Sequence, residues 1–264
     1  MAFGAAEQSE SVSLRALEMA AQVRTQDQDN GGRAEQVTRQ LESAIGMGLL
    51  NPGERLPPES VMAEHLGVSP LTLRQSLAVL RSKGLLGTRR GRGGGSYVAG
   101  VLPVRESDIA EQLRRYKSDD LRDLVDLAAA TAGSAARLAS RRSDEQDVRR
   151  LRKLAARFVS CSEPHMMRQA DARLHIGLGV AAQSRRLTAL LIQIHAELSP
   201  LTWGEAWLDE KSAASIEHEA LLDAIKEGDA KSAEDAAIAH FEREGAMIIN
   251  QRLAILTTDL AGYR

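Results

Sequence analysis

Four residues in the second half of the chain have the types and spacing to hold a cation. Asp171 and His175 stand four apart, so one helical face presents both. His218 and His240 lie on two later helical stretches, 22 residues apart. A carboxylate and three neutral imidazoles suit a divalent metal ion, zinc first, with nickel, cobalt or manganese as alternatives. The core of a helical bundle can gather such side chains from several helices. Spacing alone leaves the plainer reading open, in which these are solvated histidines or histidines satisfied in the core. His218-Glu219 is not the start of a zinc-protease motif, because Leu222 stands where the second histidine would be. His165 and His195 read as pocket or surface residues.

A second chemistry lies nearer the N-terminus. Between Glu64 and Glu106 there is no acidic residue, yet the stretch holds Arg74, Arg81, Lys83, Arg89, Arg90, Arg92 and Arg105. A local excess of positive charge with no counter-charge in the same stretch points to a polyanion, or to an ordinary solvated face. The whole chain carries a net charge of only −2, so overall charge says nothing about partners.

The elements that position these residues follow from periodicity. Arg33 to Met47 reads as a helix with Val37, Leu41, Ala44 and Ile45 on one side, ended by Gly48 and Asn51-Pro52-Gly53. A short helix is expected over Val61–Leu66. Gly67-Val68 turns the chain. Ser69 caps the next helix with Pro70 at its first position, and that helix runs to about Ser82 with Leu73, Leu77 and Leu80 inward. A helix, a glycine turn and a capped second helix make a helix-turn-helix, whose second helix enters the major groove. Leu85 to Thr88 and Ser96 to Val98 then pair as strands around Arg89-Arg90-Gly91-Arg92-Gly93-Gly94-Gly95. An arginine-bearing glycine tip of this kind follows a phosphate backbone or enters a minor groove. The glycines are not a phosphate-cradling loop, because GxxxxGK[ST] is absent, and a dinucleotide fingerprint fails at Ser96.

From Asp119 onward helical periodicity recurs, interrupted by Pro164 and Pro200, with a stop at Glu227-Gly228-Asp229. Helices are expected over 119–141, 144–160, 164–183, 185–199, 201–207, 211–227 and 230–260. The fold class is therefore mainly α: an N-terminal winged helix-turn-helix of three helices and a small β-hairpin, followed by an all-α antiparallel bundle. The expected organisation is an arm at 1–32, with a helix over about Ser13–Thr25; a DNA-binding domain at 33–100; a linker and first helix at 101–118; and a helical domain at 119–264.

Composition agrees. The chain has 264 residues, 43% apolar, 27% charged and only 3% aromatic, so Ala, Leu, Ile and Val must build the core, which favours helix. Cys161 is the single cysteine, which excludes a disulfide framework and a multi-thiolate zinc site; it reads as a buried or incidental thiol. No apolar run reaches the ~18 residues of a membrane span, and the first residues lack a signal pattern, so a cytoplasmic protein without a membrane partner is expected. Trp203 and Trp207, four apart, read as core or dimer packing ahead of a pocket wall.

The run PGERLPPES-x4-HLGVSPLTLRQSLAVLRSKGLLGTRRGRGGGSYV closely resembles the winged helix of GntR-type bacterial transcription regulators over about 33–98. The resemblance implies DNA contacts from Ser69, Thr72 and Arg74 at the recognition helix and from Arg90 and Gly91 at the wing tip; the arginine-bearing tip itself adds Arg89 and Arg92. Two positions depart: Pro70 and Ser60 stand where arginines are frequent in the family, which bears on the operator sequence. The second half resembles the FCD domain of FadR-subfamily members, through Asp171-Ala-Arg-Leu-His175, the run from His218 to Ala233, and His240. That resemblance implies a divalent metal held by Asp171, His175, His218 and His240 at the base of an effector pocket. Ala128 and Ala132 replace an arginine and a glutamate common in relatives, so the effector stays open, with a small organic acid as the family expectation.

The implied protein is a homodimeric, effector-responsive repressor of a near-palindromic double-stranded DNA operator, and not an enzyme. Two rivals are kept. One is a metal-dependent enzyme with a fused DNA-binding head, for which Glu217, Glu219 and Asp223 are the only base candidates, all read as ordinary exposed-face acids. The other is an architectural DNA-binding protein without an effector.

Overall fold

The computed structural model describes residues 32–91 and 94–261. The arm, the helix expected over Ser13–Thr25, and Arg92 lie outside the described residues, Gly32 apart. The chain divides into two compact units at Pro103/Val104.

In the first unit, helix α1 spans Arg33–Gly46, α2 Glu59–His65 and α3 Pro70–Ser82. α2 begins two residues before the expected Val61. Glu59 and Ser60 extend it because Pro58 supplies an extended residue ahead of the first turn. The cap of α3 is as the sequence implies: Ser69 Oγ accepts from the Thr72 amide at 3.1 Å, and Pro70 takes the first position. Such a cap contributes about 1 kcal/mol. Gly67 and Gly84, at φ of 62° and 72°, make the turns on either side of α3, where a residue with a Cβ would be strained.

Strands β1, Leu86–Arg89, and β2, Gly95–Val98, pair antiparallel with Leu86 opposite Val98 and Arg89 opposite Gly95. The hairpin is shifted one residue toward its tip relative to the expected start at Leu85. A Cβ on Gly87 would collide with the Tyr97 ring, so glycine there lets that ring lie across the hairpin. Leu41, Ile45, Leu50, Met62, Leu73, Leu77, Leu80 and Val98 fill one core beneath all five elements.

The second unit is helical throughout: α4 Glu106–Arg115, α5 Ser118–Arg142, α6 Glu145–Ser160, α7 Pro164–Ala181, α8 Arg185–Leu198, α9 Lys211–Glu227 and α10 Ala230–Ala261. Sequence punctuation sets the ends. Asp144 and Asp147 form a reciprocal cap on α6. Gly228, at φ 74°, stops α9, and Asp229 caps α10 through the Ser232 amide at 3.0 Å. Long α5 and α10 lie against each other. Their approach uses Gly133, whose Cβ would stand 2.7 Å from Ile238, and Gly245, which faces Val125.

One expected helix is absent. Residues 201–207 do not continue as an α-helix; two 3-10 turns, Ser199–Leu201 and Glu205–Glu210, stand there with Trp203 between them at φ 56°. Trp203 and Trp207 are therefore not neighbours on one helical face. Both are buried, with ring centroids 5.6 Å apart. A non-glycine residue at positive φ costs free energy and persists only where packing holds it. Here Trp203 is wedged edge-on against Phe158 at 4.8 Å, and Arg168 donates to the Thr202 carbonyl beside it.

Candidate nucleic-acid interface and metal centre

On α3, burial of Leu73, Leu77 and Leu80 turns the opposite face outward. That face carries Pro70, Leu71, Arg74, Gln75, Ala78 and Val79. Thr72 is half-buried, and its hydroxyl lies 2.8 Å from Ser69 Oγ. Ser69 and Thr72 thus serve the cap first. Arg74 is exposed but not free: its Nε lies 3.4 Å from Glu59 Oε2. Arg81 also faces Glu59, at 3.8 Å, and donates to Ser96 Oγ. Lys83 pairs with Glu42. The view of a basic stretch without counter-charge is corrected here, because acids from α1 and α2 fold back onto three of its cations. These are exposed or half-exposed pairs, each worth no more than about 1 kcal/mol, and phosphate can displace them.

At the wing, the Arg89 guanidinium stacks 4.4 Å above the Tyr97 ring, a cation–π contact that holds it along the hairpin. Arg90 is exposed, and Gly91 makes the tip turn at φ 98°. Sequence reasoning missed exposed Leu71. The three inward leucines define the outward face and would have found it.

In the second unit, α7 supplies Asp171 and His175, α9 His218 and α10 His240, all buried. One ligand atom from each lies within 4.8 Å of the others. His218 Nε2 is 3.4 Å from Asp171 Oδ1, and His175 Nδ1 is 3.7 Å from Asp171 Oδ2. Ring centroids of His175, His218 and His240 are 4.8–5.2 Å apart.

The hydrogen-bond inventory of the cluster is incomplete. Asp171 Oδ1, both ring nitrogens of His175 and of His218, and His240 Nε2 are buried with no hydrogen-bond partner in the structure. Orphaned polar atoms at this depth are costly. Distances of 3.4 to 3.7 Å are long for hydrogen bonds but fit donors arranged around one cation. The residues present therefore fit a divalent metal.

Burial dominates the electrostatics of the cluster. Burial, reinforced by the Glu244 charge, holds the Asp171 carboxyl well above its usual range. Burial and neighbouring imidazoles hold His175 and His218 well below theirs, in the neutral form that ligates. His195 stacks on His175 at 5.2 Å and is pushed down to about 3 by burial and by His240. His165, by contrast, is half-buried, outside this cluster.

Glu217 corrects an expectation. It is not an ordinary exposed-face acid: it accepts from His240 Nδ1 at 2.6 Å and from Arg243 Nε at 2.5 Å. Burial alone would raise its pKa, but those donors hold it down at about 2. This carboxylate holds His240 through Nδ1 and turns Nε2 toward the cluster. Glu219 and Asp223 pair instead with Arg152. Cys161 is buried, and burial pushes its thiol up, away from reactivity. Ala128 and Ala132 are fully buried on α5.

A winged helix joined to a helical unit with a buried carboxylate–histidine centre defines a DNA-binding transcription regulator that responds to a small ligand. The chain belongs to the GntR family of bacterial regulatory proteins, in the group whose second domain is an FCD domain. The model for bacterial regulatory proteins of the gntR family matches residues 33–95, and the FCD domain model matches 123–243. A putative HTH-type transcriptional regulator, RmpR, of Mycobacterium gastri is 36% identical over 84% of this chain and 82% of its own. The Uxu operon transcriptional regulator of Escherichia coli is 28% identical over 77% and 79%. Among solved structures, E. coli McbR/YncC superposes with a TM-score of 0.50 at 18% identity, covering 84% of this chain and 99% of that one, a likeness of fold. No helix of the described residues is long and apolar enough to cross a membrane.

Proposed function

We propose that this regulator is a homodimeric, cytoplasmic repressor whose helical unit holds a divalent metal through Asp171, His175, His218 and His240. The carrying observation is that these four buried residues converge while their inward-facing atoms lack partners. Zinc is the first candidate, and a bound ion supplies a Lewis-acidic position for an oxygen of the effector, a small organic acid. Glu217 accepts from His240 Nδ1 and so turns Nε2 toward the cluster.

Two winged helices related by a two-fold axis read the half-sites of a near-palindromic operator. Ser69, Thr72 and Arg74 meet DNA from α3, and Arg89, Arg90, Gly91 and Arg92 from the wing. Pro70 and Ser60, in place of arginines, remove two base-reading side chains and alter the preferred sequence. Effector and DNA then oppose each other by equal factors, as linkage requires. On this reading the DNA-binding domain spans 33–100, a linker and first helix 101–118, and the effector domain 119–264; the two family matches, 33–95 and 123–243, fall inside the first and last of these.

The metal reading carries a pH signature. Burial alone would lower the His240 pKa, but the charges of Glu244 and Asp171 and the hydrogen bond to Glu217 outweigh it and raise it above 6.5. A metal at Nε2 must displace that proton, so affinity rises with pH through the range above 6.5 and falls below it. Competition against a chromophoric chelator is expected to show weaker zinc binding at pH 6 than at pH 8. Affinity independent of pH would reject ligation by His240.

A further inference from the structure

Glu244 lies one helical turn beyond His240 on α10 and is almost completely buried, at 3% exposure. Its Oε1 has no hydrogen-bond partner, and neither does His240 Nε2, 3.6 Å away. That distance is too long for a hydrogen bond. It falls between the 3.4 and 3.7 Å that separate Asp171 from His218 and His175. Two donors on one ion, each ~2.1 Å from it, lie about 3 to 3.5 Å apart. The 3.6 Å between Glu244 and His240 is slightly longer than this and matches the spacings inside the four-residue cluster.

Charge compensation favours the same arrangement. Asp171 and Glu244 are both buried, and Asp171 feels the Glu244 charge. Arg243 lies within reach of the Glu244 charge but makes its ion pairs with Glu217 and Glu210. Two buried carboxylates are costly unless a cation compensates both. The four-residue cluster uses Asp171 and leaves Glu244 Oε1 buried without a hydrogen-bond partner.

We propose that Glu244 is a fifth protein ligand, joining Asp171, His175, His218 and His240 on the same ion. The inference rests on the metal reading above. Two consequences follow for the effector. Five protein donors leave a six-coordinate ion one open position, so the effector bonds it through a single atom. Two carboxylates also cancel the charge of a divalent ion, and Ala128 and Ala132 offer no cation in compensation. Specificity must then come from the neutral surroundings, among them His195 Nε2, which is buried and unpartnered.

The test uses the full chain, stripped with chelator and titrated with Zn²⁺ and with Co²⁺ alone. E244Q keeps shape but is a far weaker donor. It is expected to lower metal affinity by about tenfold to a hundredfold and to change the visible absorption of the cobalt form. Metal-free E244Q is expected to melt no lower than the metal-free parent, because a buried uncompensated carboxylate has been removed. Parental affinity and an unchanged cobalt spectrum in E244Q, while H218A loses the metal, would overturn the fifth ligand and leave the four-residue centre intact. Failure of the parent itself to bind either metal would overturn both. A metal-free E244Q that melts well below the metal-free parent would make Glu244 a structural residue and count against ligation.

Discussion

Asp171→Ala and His218→Ala are each expected to abolish retention of the metal and the thermal stabilisation it brings. A ligand present at 1,000 times its Kd stabilises the folded state by about 4 kcal/mol. In a unit of the size of Val104–Arg264, that corresponds to about 8 to 16 °C in Tm. The variants should show none of this rise on addition of zinc. The metal-free proteins give a second comparison. Asp171 is buried and feels the Glu244 charge, and its carboxyl is held well above its usual range. Removing it should leave the metal-free Tm unchanged or raised, the opposite of an ordinary core truncation. Differential scanning calorimetry with and without metal reads both. A normal metal-induced shift in either variant would remove that residue from the centre.

The second large effect is expected at the recognition helix. Arg74→Ala should weaken operator binding by about 1–3 kcal/mol per half-site and relax the base preference at one position in each. Its cost to folding should be small, since the pair with Glu59 at 3.4 Å is exposed. Arg90→Ala, at the exposed wing tip, should weaken all sequences alike and reduce the salt slope by about one for each phosphate that it no longer neutralises. Fluorescence anisotropy across a salt series, on operator and scrambled duplexes, separates the two. Unchanged operator affinity in both variants would reject α3 and the wing as the DNA-reading elements.

The helix-turn-helix was legible because its signals are local: Ser69 and Pro70 begin α3, three leucines turn one face inward, and glycines mark the turns. The four-residue cluster was half legible. Asp171 and His175 share a face by spacing alone, but nothing in spacing joins them to His218 and His240; the resemblance supplied that link. Glu244 stands four residues after His240 and carries the same periodic signal as Asp171 before His175. An acid at such a position is usually solvated, and only burial separates Glu244 from the rest. Glu217 escaped sequence reasoning for a related reason, since its partners His240 and Arg243 are distant in sequence. Arg74 pairs with Glu59, and no local pattern announces an ion pair between two short helices. Trp203 escapes a helical reading because packing against Phe158 and anchoring by Arg168 hold a backbone conformation that intrinsic preference disfavours.

A metal-bearing regulator of a specific operator is tested most directly by selection of genomic fragments with the purified full-length protein, metal-loaded and chelator-stripped. The expected result is enrichment of an inverted repeat whose half-sites are spaced for two winged helices, with occupancy that differs between the two metal states. Absence of any enriched sequence in either state would contradict it.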